Sequence, residues 1–250
     1  MQGNRVVSMT NYVDLHLCTP LSNIEKAKKM IAKSSEMGYA AVGIPLSINV
    51  KPEEVERLRK ICSEEGLDFV SRLDLVPRNS GELLSNLRRF RRKFEVISVT
   101  CRSKPVARQA AKDRRVDLLS FSGAQPLNRF FDAAEAELAS ASSASLEIDM
   151  SQLLSLEGFL RIRLLSSLRR EAALAKNCRV PVVLSSGATD ESLLRRPRDY
   201  LALTALFDLD ASVASKAFSE NPQGIVQRNR LKLSPDFIAP GLRVVRRGDP

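Results

Sequence analysis

Seven short apolar runs punctuate the chain, and longer stretches with apolar residues at helical spacing separate most of them. The runs are Tyr12–Leu17, Ala40–Ile44, Asp68–Leu75, Phe94–Cys101, Val116–Phe121, Ser145–Asp149 and Val180–Ser185. They are compact and often β-branched, as strands covered on both faces are. The stretches between them have helix ends written into them. Ser22 is placed to cap a helix through Met37, which Gly38 stops, and Pro52 suits the first turn of a helix to Glu65, which Gly66 ends. Ser80 or Gly81 opens GELLSNLRRFRRKF, and Ser103–Pro105 opens the next helix. A long amphipathic stretch covers 151–177, and two further helices are expected near Pro197–Phe207 and Asp210–Ser219.

Strands alternating with helices in this way predict a parallel α/β architecture with right-handed crossovers. The length is close to the ~250 residues of a (β/α) barrel. An open dinucleotide-binding sheet is the competitor, but no GxGxxG follows any strand. The expectation is one TIM-barrel-like domain over 1–232, with about seven parallel strands and one strand missing or distorted. The remainder, 233–250, is rich in Pro and Gly with Arg243, Arg246 and Arg247, and predicts an extended basic tail.

Composition narrows the function. No apolar run approaches the ~18 residues of a membrane span, and the first residues carry no apolar export segment. Cys18, Cys62, Cys101 and Cys178 lie far apart with no CxxC pair, so the expected compartment is a reducing cytoplasm. The net charge is +10. Residues 72–115 hold thirteen Lys and Arg against four Asp and Glu, which is nearly the whole excess. Solvated helix faces are the plain explanation; a concentrated positive field that holds a polyanion is the functional one. Arginine predominates, which suits bidentate phosphate contacts. The candidates are Arg88, Arg89, Arg91, Arg92 and Lys93 on one helix, and Arg102, Lys104 and Arg108 at the following strand end and helix start. Three Tyr, ten Phe and no Trp argue against a base-stacking platform as the mode of binding. Arg72 stands apart, because an arginine inside an apolar strand needs a partner. Asp74 or a carboxylate on a neighbouring strand would supply one; a phosphate at the strand end is the alternative.

One motif points elsewhere. VDLHLCT at 13–19 is similar to the opening Asp-Leu-His-x-His-Thr of PHP-type metal-dependent phosphatases and nucleases, with Cys18 at the second His position. Strand parity lets His16, Asp74, Glu147 and Asp149 converge at one end of a barrel, where active sites sit. That is the basis for a metal-dependent phosphoesterase. Such centres need several imidazoles, however, and His16 is the one histidine in the sequence. Ser185-Ser186-Gly187-Ala188 after the seventh strand is either an anion-binding loop or a plain turn.

Several segments resemble the family of archaeal ribonuclease P protein component 3 and its eukaryotic relative, the thirty-kilodalton subunit. They are YVDLHL at 12–17, VDLLSFS at 116–122, LEIDMSQLL at 146–154, and above all 180–210 followed by AFSENPQGIVQRN at 217–229. Ser185–Ala188, Arg196-Pro197 and Asn221-Pro222 match the order of that family's motifs, and APGLRVVRR resembles the tails of some archaeal members. The resemblance implies a barrel related to the PHP-type hydrolases without their metal site. It also implies a subunit of the ribonucleoprotein that removes the 5′ leader from precursor tRNA. The RNA subunit and its Mg²⁺ would carry the chemistry, with no cofactor and no catalytic residue on this chain. The implied partners are ribonuclease P RNA and the RRM-like protein component 2, with other ribonuclease P proteins and precursor tRNA reached indirectly, and no membrane. Arg196 joins the candidate RNA contacts on this basis. A general RNA- or DNA-binding barrel is the third reading.

Overall fold

The structure is a computed structural model and describes residues 11–121, 123, 129–239 and 242–243. Seven parallel strands are joined in sequence order: β1 Tyr12–Asp14, β2 Tyr39–Pro45, β3 Asp68–Leu75, β4 Val96–Thr100, β5 Leu118–Ser120, β6 Ser145–Asp149 and β7 Val182–Ser185. Every predicted strand is present. The first is shorter than its apolar run, ending at Asp14, and its pairing with β2 carries a register shift between Tyr12 and Val13.

Among the described residues the sheet closes between β7 and β1 with no further strand between them. Leu17 and Ala188 form a parallel bridge, and Cys18 N donates to Ala188 O at 3.0 Å. Asp14 Oδ1 accepts from Ser186 N at 2.9 Å and from His16 N at 3.0 Å, so a side chain replaces ladder bonds where strand geometry ends. The β1 backbone also presses on β2. A Cβ at Gly43 would lie 2.5 Å from Leu15 O, so only glycine admits this approach.

The helices are α1 Ile24–Glu36, α2 Pro52–Glu64, α3 Ser80–Phe90, α4 Lys104–Lys112, α5 Ala133–Ser142, α6 Met150–Ser155, α7 Gly158–Asn177, α8 Pro197–Leu203, α9 Ala211–Ala217 and α10 Glu220–Leu233. Three expectations need correction. Asn23 caps α1 in place of Ser22, and Asn79 caps α3 in place of Ser80 or Gly81; each carboxamide oxygen accepts a backbone N–H three residues on. The stretch 151–177 is two helices, since Leu156 and Glu157 are extended. Pro197–Phe207 is α8 followed by a single 3-10 turn over Thr204–Phe207. Helices α5 and α10 were not anticipated. Beyond α10, Phe237–Ala239 (β8) pairs antiparallel with Leu242–Arg243 (β9); Arg246 and Arg247 lie outside the described residues.

Two apolar layers sandwich the strands. The outer one packs Val42, Phe69, Leu73, Ile97, Leu146 and Leu184 against the helices. The inner one, at the N-terminal ends of the strands, joins Val13, Leu15, Ala41, Val70, Val96, Leu118 and Val183 to Ile225 and Val226 of α10. Helix α10 is therefore the floor of the barrel. Asn221 ties its start to Val182 O at 2.8 Å, and Arg230 pins its end to Asp68 at 2.6 Å and to Glu95.

Candidate functional site

Above the apolar inner layer the barrel interior turns polar. Arg72 on β3 is 1% exposed and points across the lumen. Its Nη2 donates to Glu147 Oε2 at 2.8 Å, Nη1 to Glu147 Oε1 and to Leu15 O at 2.9 Å, and Nε to Asp74 Oδ1 at 2.7 Å. Glu147 on β6 also accepts from Ser98 Oγ at 3.1 Å and Ser185 Oγ at 2.7 Å, so four strands meet on one ion pair. Burial alone would loosen the Arg72 proton, but Asp74 and Glu147 more than reverse that. Burial likewise opposes the charges of Asp74 and Glu147, yet Arg72 holds both carboxyls below their usual range.

His16 covers this pair at the mouth. Its Nε2 lies 3.3 Å from Asp74 Oδ2 and its Nδ1 3.7 Å from Asp149 Oδ2. Burial and the Arg72 charge work against the imidazolium, but the bond to Asp74, with Cys18 alongside, lifts its pKa well above the usual value of 6.5. Burial pushes the Asp149 carboxyl up. Asp149 is fixed by Ser151 N and Oγ at 3.0 and 2.6 Å. Gly187, at φ +59°, packs so closely that a Cβ there would overlap the Asp149 carboxylate.

The convergence of His16, Asp74, Glu147 and Asp149 is therefore real, and a guanidinium stands in their midst. The residues do not fit a hydrolytic metal centre: Arg72 already supplies the cation that Asp74 and Glu147 bind, and Asp74 favours the proton that a metal would have to displace from the imidazole. Among the described residues no group of three or more His, Cys, Asp or Glu side chains is arranged to hold a metal ion. Because the folded state holds the His16 proton more tightly than the unfolded chain does, its contribution to stability is complete below pH ~6.5. That contribution declines as the pH rises through the elevated value. Urea unfolding across neutral and alkaline pH is expected to show this loss, and His16→Gln to flatten it; an identical pH profile in the variant would refute the assignment.

The other candidates separate into distinct places. Of the two readings for Arg72, the structure shows the pairing with Asp74 and with a carboxylate on another strand, which makes the guanidinium an interior strut. Ser185–Ala188, read from the sequence as either an anion-binding loop or a plain turn, forms the closing seam: Ser185 Oγ holds Glu147, Ser186 N holds Asp14, and Ser186 Oγ donates to His16 O at 3.2 Å. The basic run 88–108 lies at both ends of the barrel. Arg88, Arg89, Arg91, Arg92 and Lys93 follow α3 down to the N-terminal face, whereas Arg102, Lys104 and Arg108 sit at the C-terminal rim after β4. Five strand residues at ~3.3 Å each separate the two groups. Arg88, Arg89, Arg92, Lys93, Arg102 and Arg196 are exposed. Arg91 is half-buried and bonded to Asp117 at 2.6 Å; Lys104 and Arg108 both reach Asp132, at 2.9 and 3.3 Å. Sequence reasoning missed the carboxylates that organise the N-terminal face, Glu95 and Asp117, each one residue ahead of a strand. Charged residues entering otherwise apolar runs were the available signal.

These features define a seven-stranded, TIM-like α/β barrel whose mouth is filled by an arginine-centred ion-pair network. Comparison with known proteins is specific: the model of the family described as RNase P subunit p30 matches residues 11–234, and the chain belongs to that family. Ribonuclease P protein component 3 of Methanosarcina acetivorans is 30% identical over 226 residues, covering 89% of this chain and 91% of the relative. The component 3 protein of Methanococcoides burtonii is 29% identical over 204 residues, 82% of each chain. Among solved structures, a chain in archaeal ribonuclease P with mature tRNA has the same fold, with a TM-score of 0.80 at 21% identity, covering 95% of this chain and all of that one. The chain is thus a protein subunit of ribonuclease P, the ribonucleoprotein that removes the 5′ leader of precursor tRNA.

Proposed function

We propose that this chain is a non-catalytic scaffold that supports the catalytic RNA of ribonuclease P together with protein component 2. The observation that carries the reading is Arg72 in the barrel mouth, which converts a cavity suited to chemistry into a self-neutralised core. The RNA subunit and its Mg²⁺ then supply the reaction, and a cytoplasmic particle is the setting. The exposed arginines at both barrel ends suit backbone recognition, which for folded RNA needs shape and charge rather than base stacking.

A protein partner is supported by a different surface. At the start of α7, Phe159 and Ile162 are each 63% exposed and Leu160 is exposed beside them. Arg163 lies 4.3 Å over the Phe159 ring and offers charge to an acidic partner. Apolar side chains one helical turn apart are anchors for protein, not phosphate. Reconstituted particles are expected to cleave precursor tRNA faster with this chain and component 2 than without it, while the chain alone cleaves nothing; equal rates with and without it would end the proposal. Phe159→Ser with Ile162→Ser is expected to abolish co-purification with component 2 while leaving the thermal unfolding midpoint unchanged. Undiminished co-purification would remove this surface from the account.

A further inference from the structure

The barrel end opposite the mouth carries a cation cluster that the fold leaves under-neutralised. Arg91, at the C-terminal end of α3, donates to Asp117 Oδ2 at 2.6 Å and Glu95 O at 3.0 Å. Arg228 on α10 reaches the other oxygen of Asp117 at 3.1 Å, where Asn229 Nδ2 also donates at 2.8 Å. Ile97 N takes Asp117 Oδ2 as well, at 2.9 Å. One carboxylate thus serves two guanidiniums, a carboxamide and a backbone amide. Arg228 Nε is buried without a hydrogen-bond acceptor. The neighbouring carboxylates are taken: Asp113 by Arg115 at 2.7 Å, and Glu95 by Arg230 and by Ser71 N at 2.6 Å.

We propose that Arg91, Arg114, Arg228 and Lys232 form a phosphate-binding site for the RNA backbone on the N-terminal face of the barrel. The site rests on the ribonuclease P reading and specifies which end of the barrel meets RNA. Asp117 holds two guanidiniums in fixed positions, so a phosphodiester meets donors whose ordering cost is already met. A phosphate at the partly exposed Arg228 guanidinium supplies the negative charge that the cluster needs. Lys232 registers the crowding: burial first, then the charges of Arg228, Arg91 and Arg114, loosen its proton. The exposed Arg88, Arg89, Arg92 and Lys93 extend the positive surface along α3 and its following loop. Most exposed apolar side chains lie at the opposite rim, Leu21, Ile48 and Val76 in loops and Phe159, Leu160 and Ile162 at the start of α7; Leu206 and Leu231 do not. That division favours RNA over protein here.

Arg114 and Lys232 are exposed and can be reversed without emptying the interior. The full-length double variant Arg114→Glu/Lys232→Glu is compared with Arg57→Glu/Lys60→Glu on the outward face of α2, which changes net charge equally. Binding to ribonuclease P RNA, with component 2 present, is measured over a series of potassium chloride concentrations, and thermal unfolding confirms that each variant is folded. The cluster variant is expected to bind more weakly and to lower the slope of log affinity against log salt by about 2, while the α2 pair matches the wild type. Equal losses in both variants, or no loss in either, overturn the site. Wild-type chain that binds the RNA and stimulates cleavage yet is indifferent to the cluster reversal condemns this site alone. Wild-type chain that neither binds nor stimulates condemns the ribonuclease P reading and the site with it.

Discussion

Arg72→Ala is expected to cost the barrel ~3–5 kcal/mol of unfolding free energy, because it strands Glu147 as an uncompensated charge in the lumen. The size follows from the surroundings. Glu147 is 1% exposed, and with the guanidinium gone only Ser98 and Ser185 remain to bond it. Leu15 O also loses the donor that satisfies it beside the Gly43 approach. The pair as a whole is a different matter, since two charges in a dry interior are expensive to hold even when matched. Arg72→Met/Glu147→Gln is therefore expected to recover most of the loss. Urea unfolding of the two single variants and the double variant checks both statements. A loss under ~1 kcal/mol in Arg72→Ala would mean that water already reaches Glu147. Asp74 gives an independent readout. Its carboxyl is held low by Arg72, so it contributes stability above its unfolded pKa that disappears as the pH falls through the folded value. Arg72→Ala is expected to remove that acid limb.

How much of this was legible in the sequence differs from element to element. The strands were, because a strand covered on both faces is apolar along its whole length and needs no periodicity to be seen. Arg72 and Asp74 share a strand face by parity, so their pairing was open to inspection. Parity also placed Glu147 at the same rim, but its pairing with Arg72, seventy-five residues away, is set by barrel closure, which no local pattern encodes. The asparagine caps were missed for a simpler reason, since Ser and Asn stand side by side at both helix starts and only backbone geometry chooses between them. Helix α5 is built from Ala, Glu and Ser with little apolar contrast between its faces, so no stripe marks it. The basic run 88–108 shows the opposite error. It is continuous in sequence, yet a helix runs antiparallel to the strand that follows it, and the charges at their two ends face away from each other.

Helix α10 was the costliest omission, and its removal is the second large expected effect. Pro222 lies within its first turn, where proline is tolerated because the N–H has no intrahelical partner. The floor it provides has no substitute. Ile225 and Val226 complete the inner apolar layer, and Asn229 satisfies both Glu95 O and Asp117. A chain ending at Phe218 is expected to lose cooperative unfolding altogether, since Val13, Val70, Val96 and Leu118 would then line an open, wetted tube. Single changes grade the same effect. Ile225→Ala should cost ~2–5 kcal/mol through the cavity it leaves, and Asn229→Ala ~1–3 kcal/mol through the loss of two buried hydrogen bonds. Far-ultraviolet circular dichroism with limited proteolysis of the shortened chain, beside urea unfolding of the point variants, tests the sequence of effects. A shortened chain that remains protease-resistant would show that the strands close on their own and that α10 serves the N-terminal face alone. The expected order, with the truncation worst and both point variants intermediate, makes the floor that carries Arg228 and Lys232 the same element that holds the barrel shut.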